Sequence, residues 1–301
     1  MNALTLLFLL VKISGHVSAS QAEIIRGNGG RTFLLIQPVI NLTDVEIHAD
    51  SGFYFDDRKK AVLWRNLILT GPYYHIVSDT MVYVESPESL MFSGNAVLED
   101  TAYILRADKV VKAADSAFAW GNLRIRDKKR NMDFSGDSGV YIIPTRRGIL
   151  IGNASAVSTA DSSPVTVRAE RIVFMQDTFR AYGNVLSAGN GYESSSDSAC
   201  FILNDSTAIL WSRVTINWED GTASGDSAVV YFSGGKIREL ELHGNASFQV
   251  ADSTGRLSLR GTQIQLLHPR NTDEFEVTAT GNCTGNYVSL ADSDSTSRGG
   301  G

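Results

Sequence analysis

SGDSGVYI, Ser135–Ile142, admits two readings. In isolation, Gly136-Asp137-Ser138-Gly139 has the composition that surrounds an attacking serine. Such a serine needs a histidine base and an oxyanion hole. Across the chain, however, the same stretch is one copy of a repeat. It recurs as ADSGFY from Ala49, SDTMVY from Ser78, ADKVV from Ala107, AERIVF from Ala169, SDSACF from Ser196 and GDSAVV from Gly225. A degenerate copy is GTQIQL from Gly261. The acidic residues are Asp50, Asp79, Asp108, Asp137, Glu170, Asp197 and Asp226, so successive spacings are 29, 29, 29, 33, 27 and 29. A nucleophile occurs once. The position of Ser138 instead holds Ser51, Thr80, Lys109, Arg171, Ser198 and Ser227 in the other copies. The five histidines share no common spacing with it. The sequence therefore predicts a repeat protein and not a serine hydrolase.

A second landmark follows each copy by about 15 residues. It is Gly-Asn, at Gly94-Asn95, Gly121-Asn122, Gly152-Asn153, Gly183-Asn184, Gly244-Asn245 and Gly281-Asn282. Degenerate forms are Arg65-Asn66 and Ser212-Arg213. Between the landmarks the residues alternate at period two and polar turns intervene, as in DDRKK (Asp56–Lys60) and ESPES (Glu85–Ser89). Each unit thus reads as two antiparallel strands joined by a hairpin. Glycine inside a strand marks a bulge or sharp bend, and Asn tolerates left-handed backbone. The six glycines, Gly94, Gly121, Gly152, Gly183, Gly244 and Gly281, are the expected bends. Eight such units would crease into two walls, roughly 40 Å long at ~4.8 Å per strand. The acid at each strand start is expected to cap backbone N–H groups or to face solvent. Calcium is the alternative ligand, but the glycine-rich nonapeptide of calcium-binding β-repeats is absent, and no metal or cofactor is expected.

The chain has 301 residues, 43% of them hydrophobic, with a net charge of -6. That charge argues against nucleic acid as a partner. Ala3–Val11 (ALTLLFLLV) followed by small residues reads as a cleavable export signal over residues 1–20. Residues 21–46 read as an N-terminal edge segment, 47–290 as the repeat body, and ADSDSTSRGGG (Ala291–Gly301) as a disordered tail. Cys200 and Cys283 fall in different units, two rungs and ~10 Å apart, beyond the reach of a disulfide.

The alternation of A-D-x-Φ with G-N-Φ, clearest at Ala49–Tyr54, Ala107–Val111 with Gly121–Ile125, and Ala169–Phe174 with Gly183–Val185, resembles the periplasmic lipopolysaccharide-transport bridge family (LptA/OstA-like proteins). The resemblance implies an all-β, repeat-built antiparallel β-jellyroll open along one side. It implies a periplasmic, non-enzymatic protein whose apolar groove shields the acyl chains of lipopolysaccharide or a similar acylated glycolipid between inner and outer membrane. Partners would be other bridge components of that transport system, and further copies of the chain through edge-strand pairing. Arg65, Ser212, Arg213 and Thr262 depart from the pattern.

Candidate groove residues are Phe53, Met81, Tyr83, Phe92, Val110, Leu123, Val140, Ile172, Phe174, Phe201 and Val229. One sequence does not fix which strand face points inward. Two other readings stay open: a structural or adhesive β-solenoid without lipid cargo, and a polysaccharide-cleaving β-helix enzyme. The latter needs paired carboxylates in one groove, and the repeat supplies single ones.

Overall fold

The computed structural model describes residues 16–27, 30–42, 45–84, 89–113, 115–142, 144–145, 147–158, 164–175, 177–233, 236–251, 253, 255–268 and 276–289. Most of the expected export signal and all of the expected tail lie outside them; His16–Ser18 of the former forms a strand. The described residues contain strands and turns and no helix. They fall into two units, Met1–Ala156 with Val173–Gln176, and Val157–Ile172 with Asp177–Gly301.

The first unit begins with six short strands: β1 (His16–Ser18), β2 (Gln21–Gly27), β3 (Gly30–Ile36), β4 (Val39–Leu42), β5 (Val45–His48) and β6 (Ser51–Phe55). Long strands follow: β7 (Lys60–Thr70), β8 (Tyr74–Val84), β9 (Ser89–Asp100), β10 (Tyr103–Ala113), β11 (Ser116–Asp127), β12 (Met132–Ile142) and β13 (Arg147–Ser158). From β7 to β12 each strand pairs antiparallel with the next. The short strands act in pairs as broken long ones. β6 pairs with the first half of β7 and β5 with its second half.

The second unit holds most of β14 (Thr166–Met175), then β15 (Thr178–Gly189), β16 (Tyr192–Ile202), β17 (Thr207–Trp218), β18 (Gly221–Ser233), β19 (Lys236–Ala251) and β20 (Gly255–Leu267). It repeats the antiparallel meander from β15 onwards. It ends on a second broken strand, β21 (Glu276–Thr280) and β22 (Thr284–Ser289), which pair with the two halves of β20.

Each long strand is creased near its middle. Gly94, Gly121, Gly152, Gly183, Gly244 and Gly281 have φ between +68° and +79°. The Asn after each is also left-handed, at φ +46° to +51°. Two consecutive left-handed residues cannot stay in the ladder, so the register slips. Trp120 pairs with Ser138 and Leu123 with Gly136, which leaves Gly121 and Asn122 opposite Asp137 alone. The same two-for-one bulge recurs at Gly183-Asn184 opposite Asp197. Such bulges bend and twist a strand. The bend brings the half-strands face to face: Phe134, before one corner, stacks on Phe174, after another, at 5.1 Å. In the second unit Tyr192 meets Phe232 across the crease at 5.5 Å. Gly139 lies so close to Leu123 that an added Cβ would overlap its side chain.

Candidate functional site

The two sequence landmarks are halves of one clasp. The Asn of the second landmark donates its amide to the acid that opened the unit: Asn66, which follows Arg65 and not a glycine, to Asp50 at 2.9 Å, Asn95 to Asp79 at 3.3 Å, and Asn122 to Asp108 at 3.0 Å. Asn153 does the same to Asp137 at 3.0 Å, Asn184 to Glu170 at 2.8 Å, and Asn245 to Asp226 at 3.0 Å. Each carboxylate also lies over the preceding glycine, so that a Cβ at Gly94, Gly121, Gly152, Gly183 or Gly244 would overlap it. The glycine is therefore needed twice, for its backbone and for its missing side chain. Of the two expectations for the acids, backbone N–H caps or solvent, the first is corrected: they lie at the surface, and their recurring partner is a side-chain amide on the next strand.

Two corners differ. At Ser212-Arg213 the guanidinium replaces the amide, and Arg213 donates to both carboxylate oxygens of Asp197, with Nε at 3.0 Å from one of them. That hydrogen bond and the neighbouring charge raise the Arg213 pKa above its ordinary value. At the last corner Thr262 stands in for the acid, and its hydroxyl donates to the Gly281 carbonyl at 3.1 Å. Among the described residues no three His, Cys, Asp or Glu side chains are grouped to hold a metal ion. Cys200 is buried, Cys283 exposed, and neither is bridged.

The register sorts the eleven candidate groove residues by face. Met81 pairs with Leu63 and Phe92, and Phe92 with Val110, in one row that points between the half-strands. Tyr83 and Phe201 lie one pleat further from the corner on that face, in rows with Ala61 and Leu90, and with Phe179 and Ala208. Leu123 and Ile172 are also enclosed. Met81, Phe92, Val110, Leu123, Ile172 and Phe201 are all buried, whereas Tyr83 and Phe174 are half-buried. Phe53, Val140 and Val229 have the opposite parity. Phe53 pairs with Val62, Val140 with Phe118, and Val229 with Ile209, Glu241 lying on the same outward row. Phe53 packs on Trp64 at 5.1 Å on that face.

The inward face is not uniformly apolar, which sequence reading missed. Ser187 and Ser194 hydrogen-bond each other at 2.5 Å, and Ser196 donates to the Ser198 carbonyl at 3.1 Å. All three serines are buried, as is Tyr192, whose hydroxyl has no hydrogen-bond partner. Burial pushes the Tyr192 pKa up. The signal was present as YESSS at the start of β16, where a purely apolar groove predicts none of these residues.

No family model matches the chain, and no curated protein matches it. Among solved structures it is similar to LptH, the LptA-homologous periplasmic component of the lipopolysaccharide-transport device of Pseudomonas aeruginosa. The identity is 10%, over 43% of this chain and 76% of that one, at a TM-score of 0.23. A likeness that loose decides neither fold nor function. The all-β assignment rests on the strands themselves.

Proposed function

We propose that the protein is a non-enzymatic periplasmic carrier that shields the acyl chains of lipopolysaccharide, or a similar acylated glycolipid, between the creased half-strands. The observation that supports this reading is the inward register row through Leu63, Met81, Phe92 and Val110, apolar without interruption across four strands. Half-buried Tyr83 and Phe174 lie farther from the corners on the same side and form the lip. A chain of about a dozen CH₂ groups left in water costs on the order of 10 kcal/mol, at ~0.8 kcal/mol each. A cleft with one wet side removes that cost and leaves the polar head solvated. The end strands supply docking edges. β2 pairs only with β3, and β22 only with β20, among the described residues. Exposed Ile24, Ile25, Tyr287 and Val288 sit on them. Unpaired strand edges accept further strands, so copies or relatives can join end to end.

The test is a photoreactive residue at Phe92 or Phe174 of the exported protein. Crosslinking to acyl lipid is the expected result, with Lys59 on its exposed hairpin as the unlabelled control. Protein that carries no lipid and labels none at either position overturns the carrier reading. A second reading, a structural β-solenoid without cargo, is favoured by the closeness of the half-strands. The 5.1 Å stack of Phe134 on Phe174 leaves no room for an acyl chain unless the halves part.

A further inference from the structure

The second unit carries a cluster of hydroxyls on an inward face that is largely hydrocarbon. Tyr192, Ser194 and Ser196 are alternate residues of β16, so all three point between the half-strands. Ser187 joins them from β15 as the register partner of Ser194. The four are 5% to 7% exposed, and all belong to the second unit. Around them the face is apolar. Buried Ile216, Ala223 and Phe248 continue the Ser187–Ser194 row on the following strands, and buried Val185 lies opposite Ser196.

A count of hydrogens shows what the cluster lacks. Ser187 and Ser194 bond each other, which uses one of their two hydroxyl hydrogens. Ser196 gives its own to the Ser198 carbonyl, and its oxygen can still accept. The Tyr192 hydroxyl has no partner. Phe179 and Phe201, a stacked pair inward on the same two strands, fill their places without an oxygen. A buried hydroxyl left unpaired costs free energy that a hydrogen-bonding occupant recovers. The cluster therefore offers one unused donor on Tyr192, a second on the serine pair, and acceptors on the serine oxygens.

The place of Tyr192 says where on a ligand the matching group sits. Its ring crosses Gly189, where an added Cβ would overlap it, and meets Phe232 of the opposing half-strand at 5.5 Å. Tyr192 opens β16 and Phe232 is the last residue but one of β18, so the pair stands at the lip, with Ser194 and then Ser196 nearer the corner. We propose that the cleft of the second unit selects acyl chains that carry a hydroxyl close to the head. A chain entering between the half-strands parts Tyr192 from Phe232. Its head stays wet outside the lip, and a hydroxyl a few carbons in accepts from Tyr192 and donates to a serine oxygen. A carbonyl only accepts and a methylene does neither, whereas this cluster supplies both roles. The inference rests on the carrier reading and names the chains that this unit takes.

The probes are methyl 3-hydroxytetradecanoate and methyl tetradecanoate, which differ by one hydroxyl and carry no charge. Each is titrated into the full chain and followed by calorimetry and by the emission of Trp218, the register partner of Tyr192. The hydroxylated ester should bind about tenfold more tightly, the worth of one hydrogen bond. Y192F should abolish that preference and leave the affinity for the plain ester as it was. Its thermal midpoint should stand at or above that of the parent, because the substitution removes an unpaired buried oxygen. A lower midpoint shows that the hydroxyl is paired in the empty protein and overturns the proposal. Equal binding of the two esters by the parent, or a preference that survives in Y192F, also overturns it and leaves the carrier reading standing. Equal weakening of both esters by Y192F assigns the contact to the ester carbonyl and overturns the hydroxyl. If neither ester binds, this inference and the carrier reading fall together.

Discussion

At the Asp108 corner a carboxylate lies over a glycine and accepts a neutral amide from Asn122. At the Asp197 corner the same carboxylate stands beside a serine and grips a guanidinium from Arg213. Both corners crease their strand with two left-handed residues and the same two-for-one register slip. The bend therefore depends on an acceptor on one strand and a donor on the next, not on one particular pair. The costs differ. Ser212 at φ +65° and Arg213 at φ +53° adopt a conformation that costs an ordinary L-residue about 1–2 kcal/mol, and glycine and Asn carry little of that. The charged pair offsets the strain only in part, since solvent screens an ion pair this exposed.

That contrast can be broken by substitution. The largest effect is expected for Gly121→Ala, which both strains the backbone and drives a methyl into Asp108. About 2–3 kcal/mol should be lost in urea unfolding. Asn122→Ala keeps the glycine but removes the donor and the tolerant αL residue, and about 1–2 kcal/mol should go. Ser212→Gly should move the other way, gaining up to about 1 kcal/mol, because relief of strain exceeds the added freedom of the unfolded chain. If it destabilises instead, the serine makes a contact that outweighs its φ.

Asp197→Asn should lower the unfolding midpoint slightly at low salt and almost not at all at 1 M, where the Debye length is about 3 Å. Asp108→Asn should show no such salt dependence. The smallest effect concerns a pair that closes no corner, Lys128 with Glu99 at 2.7 Å. The hydrogen bond and charge of Lys128 hold the Glu99 carboxyl below its ordinary value. Its contribution to stability is complete above the ordinary glutamate range and is lost as pH falls through the lowered value. A pH series of unfolding midpoints for Glu99→Gln should run slightly below the parent above the ordinary glutamate range and converge with it as pH falls through the lowered value, so that its acid limb is shallower.

Both landmarks were legible in the sequence, and with them the strand pairs and the bends. Their physical connection was not. Asp79 and Asn95 are 16 residues apart, Asp108 and Asn122 14, and Asp226 and Asn245 19, so no fixed spacing reveals a contact made across a hairpin of variable length. The clue was paired departure: the corner that has Arg in place of Asn retains its acid, and the one that lacks the acid has Thr. Strand faces were illegible for a different reason. In Thr80-Met81-Val82-Tyr83-Val84 both parities are apolar, because the outer face near the corners carries its own aromatic and aliphatic side chains. Period two then identifies a strand without saying which way it points. Phe53, Val140 and Val229 have one parity, and Met81, Phe92 and Val110 the other.

Each clasp touches only the adjoining strand, and the 27-to-33-residue variation in repeat length is absorbed in hairpins remote from the crease. A gene encoding such modules can gain or lose one by unequal recombination without rewriting its neighbours. Interior copies are then interchangeable, whereas the first and last, with their severed strands, are not.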